Sequence, residues 1–121
     1  MAKKNKRRRN RDRQRRQRNL TALFYDLYPN APPETATEIV EYALTANLFD
    51  GQSYPTNTAV LEYAALVYVR DHFTDYSQTI DGFMDSILHS IEAGQAYQGK
   101  TPEALEREAN LNAEEIINRW R

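Results

Sequence analysis

Apolar residues recur at helical spacing along most of the chain after residue 19. In the first such stretch they fall at i, i+3, i+4, i+7 and i+8 and share one helical face: Leu20, Leu23, Phe24, Leu27 and Tyr28. Pro29 ends this stretch, and Pro33 suits the first position of a second helix that extends to about Asn47. The pattern therefore predicts two helices joined by the turn YPNAPP.

A third helix is predicted after a loop. The segment LFDGQSYPTN, residues 48–57, has the Gly, Pro, Asn and Asp content of a loop. In residues 58–73 the apolar positions widen beyond one stripe, which is typical of the most buried helix of a domain. For the string ALVYV, periodicity alone does not distinguish a helix from a strand, so a strand is an alternative there.

A fourth helix is predicted between Thr74 or Asp75, either of which is a suitable cap, and Gly94, which is placed to end it. Seven apolar residues recur in it at spacings of mostly three or four: Tyr76, Ile80, Phe83, Met84, Ile87, Leu88 and Ile91. This spacing indicates a helix.

The last helix follows the link AYQGK, which we expect to be flexible. Thr101 is its predicted N-cap and Pro102 its first residue. Asn112 and Glu115 have the spacing of a capping box, so two helices with a break near Asn110 are an alternative. The predicted fold class is all-α, a small bundle of about five helices.

Charge divides the chain sharply. Residues 1–19 contain eleven Lys or Arg residues against one acid, a net charge of +10, whereas residues 20–121 contain five basic and 16 acidic residues, a net charge of -11. Repulsion between like charges at i and i+4 disfavours an isolated helix. We therefore expect a basic arm at residues 1–19 that is disordered or conditionally helical, followed by an acidic helical domain at residues 20–121.

The arm has the chemistry of a nucleic-acid ligand. Eight of its eleven basic residues are Arg, whose planar guanidinium bonds two phosphate oxygens or the O6 and N7 acceptors of guanine. Amide side chains between them add donors and acceptors without charge. The predicted nucleic-acid-binding residues are Lys3, Lys4, Lys6, Arg7, Arg8, Arg9, Arg11, Arg13, Arg15, Arg16, Arg18, Asn10 and Gln14.

The string KRRRNRDRQRRQRN resembles the arginine-rich motifs of lentiviral export regulators, phage antiterminators and the packaging arms of some RNA-virus coat proteins. Such peptides fold when they engage structured RNA. The resemblance implies RNA as the ligand. DNA stays open as an alternative, because phosphate contacts carry no sequence information.

Two other roles for the arm remain alternatives. An import receptor reads basic runs as localisation signals, and the arm also complements the charge of the acidic domain and would serve as its intramolecular partner. In both cases the helical domain would be a protein-interaction adaptor. The expected location is cytoplasmic for a prokaryotic or phage protein, and nuclear or nucleolar for a eukaryotic one.

The sequence offers little for catalysis. It has no Cys, and its two histidines each precede an acid by three residues, His72 with Asp75 and His89 with Glu92, which is half of a metal site at most. No phosphate-binding loop or nucleophile elbow occurs. No window approaches the roughly 18 apolar residues of a membrane span. We expect a non-enzymatic protein without cofactor, metal or membrane contact.

The chain from about residue 28 to residue 121 resembles the family called domain of unknown function 2293. The matching positions are Tyr28, Pro29, Pro32, Arg70, His72, Thr74, Tyr76, Ile117, Trp120 and Arg121. Ser77 stands where the family pattern has an acid, and Asp71 separates the expected Arg-His pair. The resemblance implies a compact helical module and no known reaction.

Two interpretations of the residues around Arg70 follow. In the structural one, Thr74 caps a helix, Tyr76 buries its ring and Arg70 pairs with an acid. In the functional one, Arg70, His72 and Arg121 form a basic surface that extends the arm's contact with phosphate.

Overall fold

The computed structural model describes residues 2–46, 48 and 56–121, and it describes side chains from residue 11 onward. These residues form five α-helices and no β-strand: α1 (Ala2–Leu27), α2 (Pro33–Thr45), α3 (Asn57–Phe73), α4 (Tyr76–Glu92) and α5 (Pro102–Asn118). The all-α prediction is confirmed, and the string ALVYV is helical. The loop predicted at residues 48–57 lies mostly outside the described residues.

The chain divides into two compact units, which are described separately. The first unit comprises residues 1–65 and 117–121, and the second comprises residues 66–116. The predicted boundary between arm and domain at residue 19 is not a break in secondary structure, because α1 runs through it without interruption.

The first unit buries the apolar face predicted for α1. Helix α1 packs on α2, and the ring centroids of Phe24 and Tyr28 lie 5.0 Å apart. Residues spaced by four meet because one helical turn brings them to the same side. The buried side chains of this unit are Leu20, Phe24, Tyr28, Ala31, Thr35, Ala36, Ile39, Val40, Ala43, Val60, Leu61, Ala64, Ala65, Ile117 and Trp120.

The ends of the helices in the first unit follow local chemistry. Helix α1 ends before Pro29, because a residue that precedes proline disfavours the helical conformation. Pro33 occupies the start of α2, where no partner is needed for a backbone N–H. The hydroxyl of Thr56 accepts a hydrogen bond of 3.1 Å from the N–H of Ala59 and so caps α3.

The C-terminal residues bind the turn between α1 and α2. The backbone N–H of Asn30 donates to the carbonyl of Trp120 at 2.8 Å. The side-chain amide of Asn30 donates to the carbonyl of Arg121 at 3.4 Å. Two segments that are about 90 residues apart in sequence are thereby held together.

In the second unit, Thr74 rather than Asp75 caps α4. The Thr74 hydroxyl accepts a hydrogen bond of 3.3 Å from the N–H of Tyr76 and donates to the carbonyl of Arg70. Asp75 occupies the N-cap position without a side-chain capping bond. Gly94 ends the helix as predicted, with a φ of 67° that other residues adopt at a cost.

Helix α5 begins as predicted and continues without a break. The Thr101 hydroxyl accepts a hydrogen bond of 3.2 Å from the N–H of Ala104, and Pro102 is the first helical residue. The alternative of two helices separated near Asn110 is wrong, because the backbone is helical on both sides of that residue. The predicted capping box at Asn112 therefore lies inside a helix.

The link before α5 is held by a tyrosine. The rings of Tyr97 and Phe83 meet edge to face, with centroids 5.2 Å apart. The Tyr97 hydroxyl donates to the carbonyl of Lys100 at 2.9 Å, and a Cβ at Gly99 would overlap that hydroxyl. The absence of a side chain at Gly99 thus lets the Tyr97 ring lie over the link.

Helix α4 exposes part of its apolar side. Its apolar stripe is present in the sequence, yet the helix has no buried residue. The buried side chains of the second unit belong to α3 and α5: Val67, Val69, Ala109 and Ala113. Three apolar side chains of α4 are more than half exposed, namely Met84, Leu88 and Ile91.

Candidate nucleic-acid interface

The predicted arm is the N-terminal part of α1. The helix has 26 residues and is about 39 Å long at about 1.5 Å per residue. The backbone of the arm is therefore helical from Ala2 onward. The backbone is helical at Lys3, Lys4, Lys6, Arg7, Arg8, Arg9 and Asn10, whose side chains lie outside the described part. The remaining predicted residues are exposed on this helix: Arg11, Arg13, Arg15, Arg16, Arg18 and Gln14.

Three arginines form a row along α1. Arg11, Arg15 and Arg18 are spaced as i, i+4 and i+7, so that they lie on one side of the helix. We call them the basic row. Leu20 and Phe24 occupy a different side of the helix and are buried. The basic row therefore points away from the core of the first unit.

The arginines of α1 concentrate positive charge. Among the described residues, no ion pair forms with Arg11, Arg13, Arg15 or Arg18. The exposed Asp12 is the one acidic residue of the arm. Closely spaced cations without acidic partners produce a positive potential that attracts polyanions. The arrangement therefore suits a phosphate backbone.

A polar groove of about 390 Å³ adjoins the basic row. It is lined by Gln14, Gln17, Arg18 and Thr21 of α1 and by Thr37 of α2; we call it the polar groove. The Thr21 hydroxyl donates to the carbonyl of Gln17 at 2.7 Å, and that of Thr37 donates to the carbonyl of Pro33 at 3.0 Å. Each hydroxyl oxygen keeps acceptor capacity for a ligand.

Part of this groove is predictable from the sequence. Gln14 was predicted as a nucleic-acid-binding residue, but Thr21 and Thr37 were not. Thr21 completes an i, i+3, i+4, i+7 series with Gln14, Gln17 and Arg18, and this spacing was visible in the sequence. The contribution of Thr37 depends on the packing of α2 against α1, which no local pattern encodes.

The residues around Arg70 in the second unit form a compact cluster. The Arg70 guanidinium lies 4.5 Å from the centroid of the Tyr76 ring. Its Nε is 3.0 Å from a carboxylate oxygen of Asp71, and its Nη1 is 3.5 Å from one of Glu106. These contacts occupy the guanidinium and favour the structural interpretation of Arg70.

His72 and Arg121 each contact an aromatic ring. The ring of His72 lies 4.2 Å from that of Tyr68, measured between centroids. In the first unit, the guanidinium of Arg121 lies 5.7 Å from the centroid of the Tyr28 ring. Both residues thus take part in packing within their own units.

Tyr28 has a perturbed acidity. Burial raises the pKa of its hydroxyl above the ordinary value, and the negative charge of Glu62 raises it further, whereas Arg121 acts in the opposite direction through its charge and a hydrogen bond. The neutral phenol is therefore the form that the folded first unit favours.

The two candidate metal-ligand pairs remain incomplete among the described residues. The pairs His72–Asp75 and His89–Glu92 gain no third side chain there that would complete a group of His, Cys, Asp or Glu around a metal ion. None of the helices in this part of the chain is both long and apolar enough to cross a membrane.

Comparison with known proteins gave no match among family models, curated proteins or solved structures. The resemblances to arginine-rich motifs and to domain of unknown function 2293 therefore stay predictions that rest on the residues named above.

Proposed function

We propose that this is a non-enzymatic nucleic-acid-binding protein whose ligand is RNA and whose binding element is the N-terminal part of α1. The observation that carries the proposal is the exposed basic row on a helix that is anchored in the first unit. Arg11, Arg15 and Arg18 are all exposed, and they share one side of α1.

In this mechanism the arginines supply affinity and the groove supplies discrimination. The guanidinium groups of the basic row bind phosphate oxygens, which fixes the helix along the nucleic acid. The amides and hydroxyls of the polar groove are then placed to contact base edges or ribose hydroxyls. The acidic second unit repels phosphate and so confines binding to α1.

We propose RNA and not DNA as the ligand because of the residue types in the arm. Arginine with amide spacers suits shaped nucleic acid, in which grooves and loops expose base edges next to phosphates. The polar groove adds acceptors that suit a ribose 2′-hydroxyl, a group that DNA lacks. A competition between a hairpin RNA and duplex DNA of equal length tests this preference, and equal affinity would contradict it.

The decisive experiment compares two double variants with the same loss of charge. Arg11→Gln with Arg15→Gln removes two members of the basic row. Arg13→Gln with Arg16→Gln removes two charges from the opposite side of the helix, where both residues are exposed. We expect the first variant to bind hairpin RNA more weakly than the second. Its slope of log affinity against log salt should be smaller in magnitude than that of the wild type by about 2.

The readout is RNA affinity measured across a series of salt concentrations, with circular dichroism as a check that helix content is unchanged. Equal losses in the two variants would show that total charge matters and the basic row does not. A full-length protein that binds no RNA, or binds it without salt dependence, would overturn the whole proposal.

Deletion of residues 2–18 tests the assignment to the arm. If about 7 to 10 phosphates are neutralised, the slope of log affinity against log salt for the intact protein is about -5 to -9. The deletion should abolish binding and leave the remaining helices folded, because the buried residues of the first unit begin at Leu20. Binding that survives the deletion would place the RNA site elsewhere.

A protein-interaction adaptor is the second candidate function, in which the arm is a localisation signal or an intramolecular charge partner. The observation that favours it is the exposed apolar side of α4. Deletion of the arm separates the two candidates. Loss of localisation with unchanged RNA content would support the adaptor.

A further inference from the structure

Helix α4 carries an apolar surface that the described chain leaves open. Met84, Leu88 and Ile91 are spaced as i, i+4 and i+7 and form a line that we call the apolar edge. Their exposed fractions are 53%, 56% and 69%. Tyr76, Ile80, Phe83 and Ile87 lie on the neighbouring side of the helix and are partly buried. The apolar stripe is thus covered along one side only.

Exposure of these three side chains to water is unfavourable in free energy for a protein without a partner. Apolar surface in water costs roughly 25 cal/mol per Å² relative to buried surface. Scattered exposed apolar residues need no explanation, but contiguous ones mark interaction surfaces. The three residues of the apolar edge are neighbours on one helix, which makes them contiguous.

Acidic residues border the apolar edge. Relative to Leu88, Asp81, Asp85 and Glu92 stand at i-7, i-3 and i+4, the positions adjacent to it on the helix surface. All three are exposed, and we call them the acidic border. Helix α4 contains no Lys or Arg, so its own sequence does not neutralise this border.

The second unit as a whole has the same sign of charge. Residues 66–116 contain three basic and ten acidic residues, a net charge of -7. A second copy that docked through its own α4 would bring two acidic borders and two such units together. Like charges across an interface oppose association, so the occupant of the apolar edge should be cationic.

The arm of this chain lacks the apolar part of such an occupant. Residues 3–19 contain no apolar side chain, and the first apolar residues after them, Leu20 and Phe24, are already buried in the first unit. The arm would match the acidic border and leave the apolar edge uncovered. The arm therefore meets only one of the two requirements for the occupant.

We infer that α4 is a docking surface for an amphipathic helix of a partner protein, one that presents an apolar row bordered by Lys or Arg. The apolar row packs on Met84, Leu88 and Ile91, and the basic residues pair with Asp81, Asp85 and Glu92. This mode of recognition reads residues at i, i+4 and i+7 of the incoming helix. It does not rest on the RNA-binding function proposed above.

Three synthetic peptides test the inference against full-length protein freed of nucleic acid. Each is a helix of about 17 residues, the length of α4, or about 25 Å. The first has a Leu row bordered by Arg. The second keeps the Arg residues and replaces Leu by Ser, and the third keeps the Leu row and replaces Arg by Gln. Fluorescence anisotropy gives the three affinities.

We expect the first peptide to bind at least about tenfold more tightly than either control peptide, because only it satisfies both parts of the surface. Leu88→Gln should remove this advantage. Ser86→Gln, an exposed position on the opposite side of α4, should retain it. Circular dichroism confirms that both variants stay helical.

Equal affinity for all three peptides would overturn the inference, as would unchanged binding by Leu88→Gln. Dimerisation of the protein in analytical ultracentrifugation that Leu88→Gln abolishes would instead assign the surface to a second copy. The RNA proposal fails or holds independently. Leu88→Gln should bind RNA as the wild type does, and the double variant Arg11→Gln with Arg15→Gln should bind the first peptide normally.

Discussion

The indole ring of Trp120 meets the phenol ring of Tyr28 edge to face, with the ring centroids 6.5 Å apart and the ring planes at 79°. Both side chains are buried in the first unit. The contact therefore joins the C-terminus of the chain to the end of α1, the helix that carries the basic row.

Trp120→Ala should destabilise the first unit by about 3–5 kcal/mol, the usual cost of removing a buried large aromatic side chain. Urea unfolding followed by circular dichroism measures the loss, since the chain has a single Trp and the variant lacks its fluorescence. Trp120→Phe keeps a ring in the site and should lose less. Equal losses in the two variants would mean that the ring contact contributes little.

The raised pKa of Tyr28 makes stability depend on pH in the alkaline range. A group whose pKa is higher in the folded state contributes stability below its unfolded pKa of about 10. That contribution is lost as the pH rises through the folded-state pKa. Unfolding free energies measured from neutral to alkaline pH should therefore fall more steeply for the wild type than for Tyr28→Phe.

The control for this pH dependence is Arg121→Gln. Because Arg121 lowers the pKa of Tyr28, its removal should raise that pKa further. Ultraviolet titration of tyrosinate, taken as the difference from Tyr28→Phe, reports the shift. A shift in the opposite direction would contradict the role given to the Arg121 charge.

Two glycines of the second unit should respond oppositely to alanine. Gly94→Ala places a side chain at a φ of 67° and should destabilise the unit by about 1 kcal/mol. Gly82→Ala lies inside α4, where an added Cβ meets nothing within 4 Å, and should stabilise by about 0.5–1 kcal/mol. Thermal unfolding of both variants gives the sign of each change in stability. A change of the same sign in the two variants would contradict the assigned end of α4.

Arg70→Ala should alter stability without altering RNA affinity. The side chain is 16% exposed and forms ion pairs with Asp71 and Glu106, in addition to its contact with the Tyr76 ring. We expect a loss of about 1–2 kcal/mol in unfolding free energy. Arg70→Lys restores the charge but not the planar group and should recover only part of it.

The readout that decides the role of Arg70 is hairpin-RNA affinity. If Arg70 belonged to a phosphate-binding surface, Arg70→Ala would weaken RNA binding and reduce its salt slope by about 1. The structural interpretation requires both quantities to stay at their wild-type values.

Local signals in the sequence predicted where most helices begin and end. Pro33, Gly94 and Thr101 act at single positions through backbone geometry or one hydrogen bond, so their effects are readable without tertiary information. The strand alternative for ALVYV failed for a similar reason, because the apolar period of the flanking residues is helical over a longer window.

Features that depend on contacts between elements were not predictable. The spacing of Met84, Leu88 and Ile91 defines a side of α4 but does not reveal that this side is exposed. The polar groove requires Thr37 of α2 next to α1. Two effects favour a helical arm: Arg, Lys and Gln have high helix propensity, and extension of an already formed helix avoids the cost of nucleation. Repulsion between the like charges of the arm opposes them.

The uninterrupted passage of α1 from Arg18 to Leu20 fixes the rotational phase of the arm. Each helical residue turns the chain by about 100°, so the anchored core determines the azimuth at which every arginine emerges. One alanine inserted after Asn19 would turn the whole arm by that angle without changing its charge, and four would turn it to about 40° past a full circle. The folded first unit thus determines the orientation of the arm. Because the arm and the first unit share α1, binding of a nucleic acid to the arm would be coupled to the folding stability of the first unit.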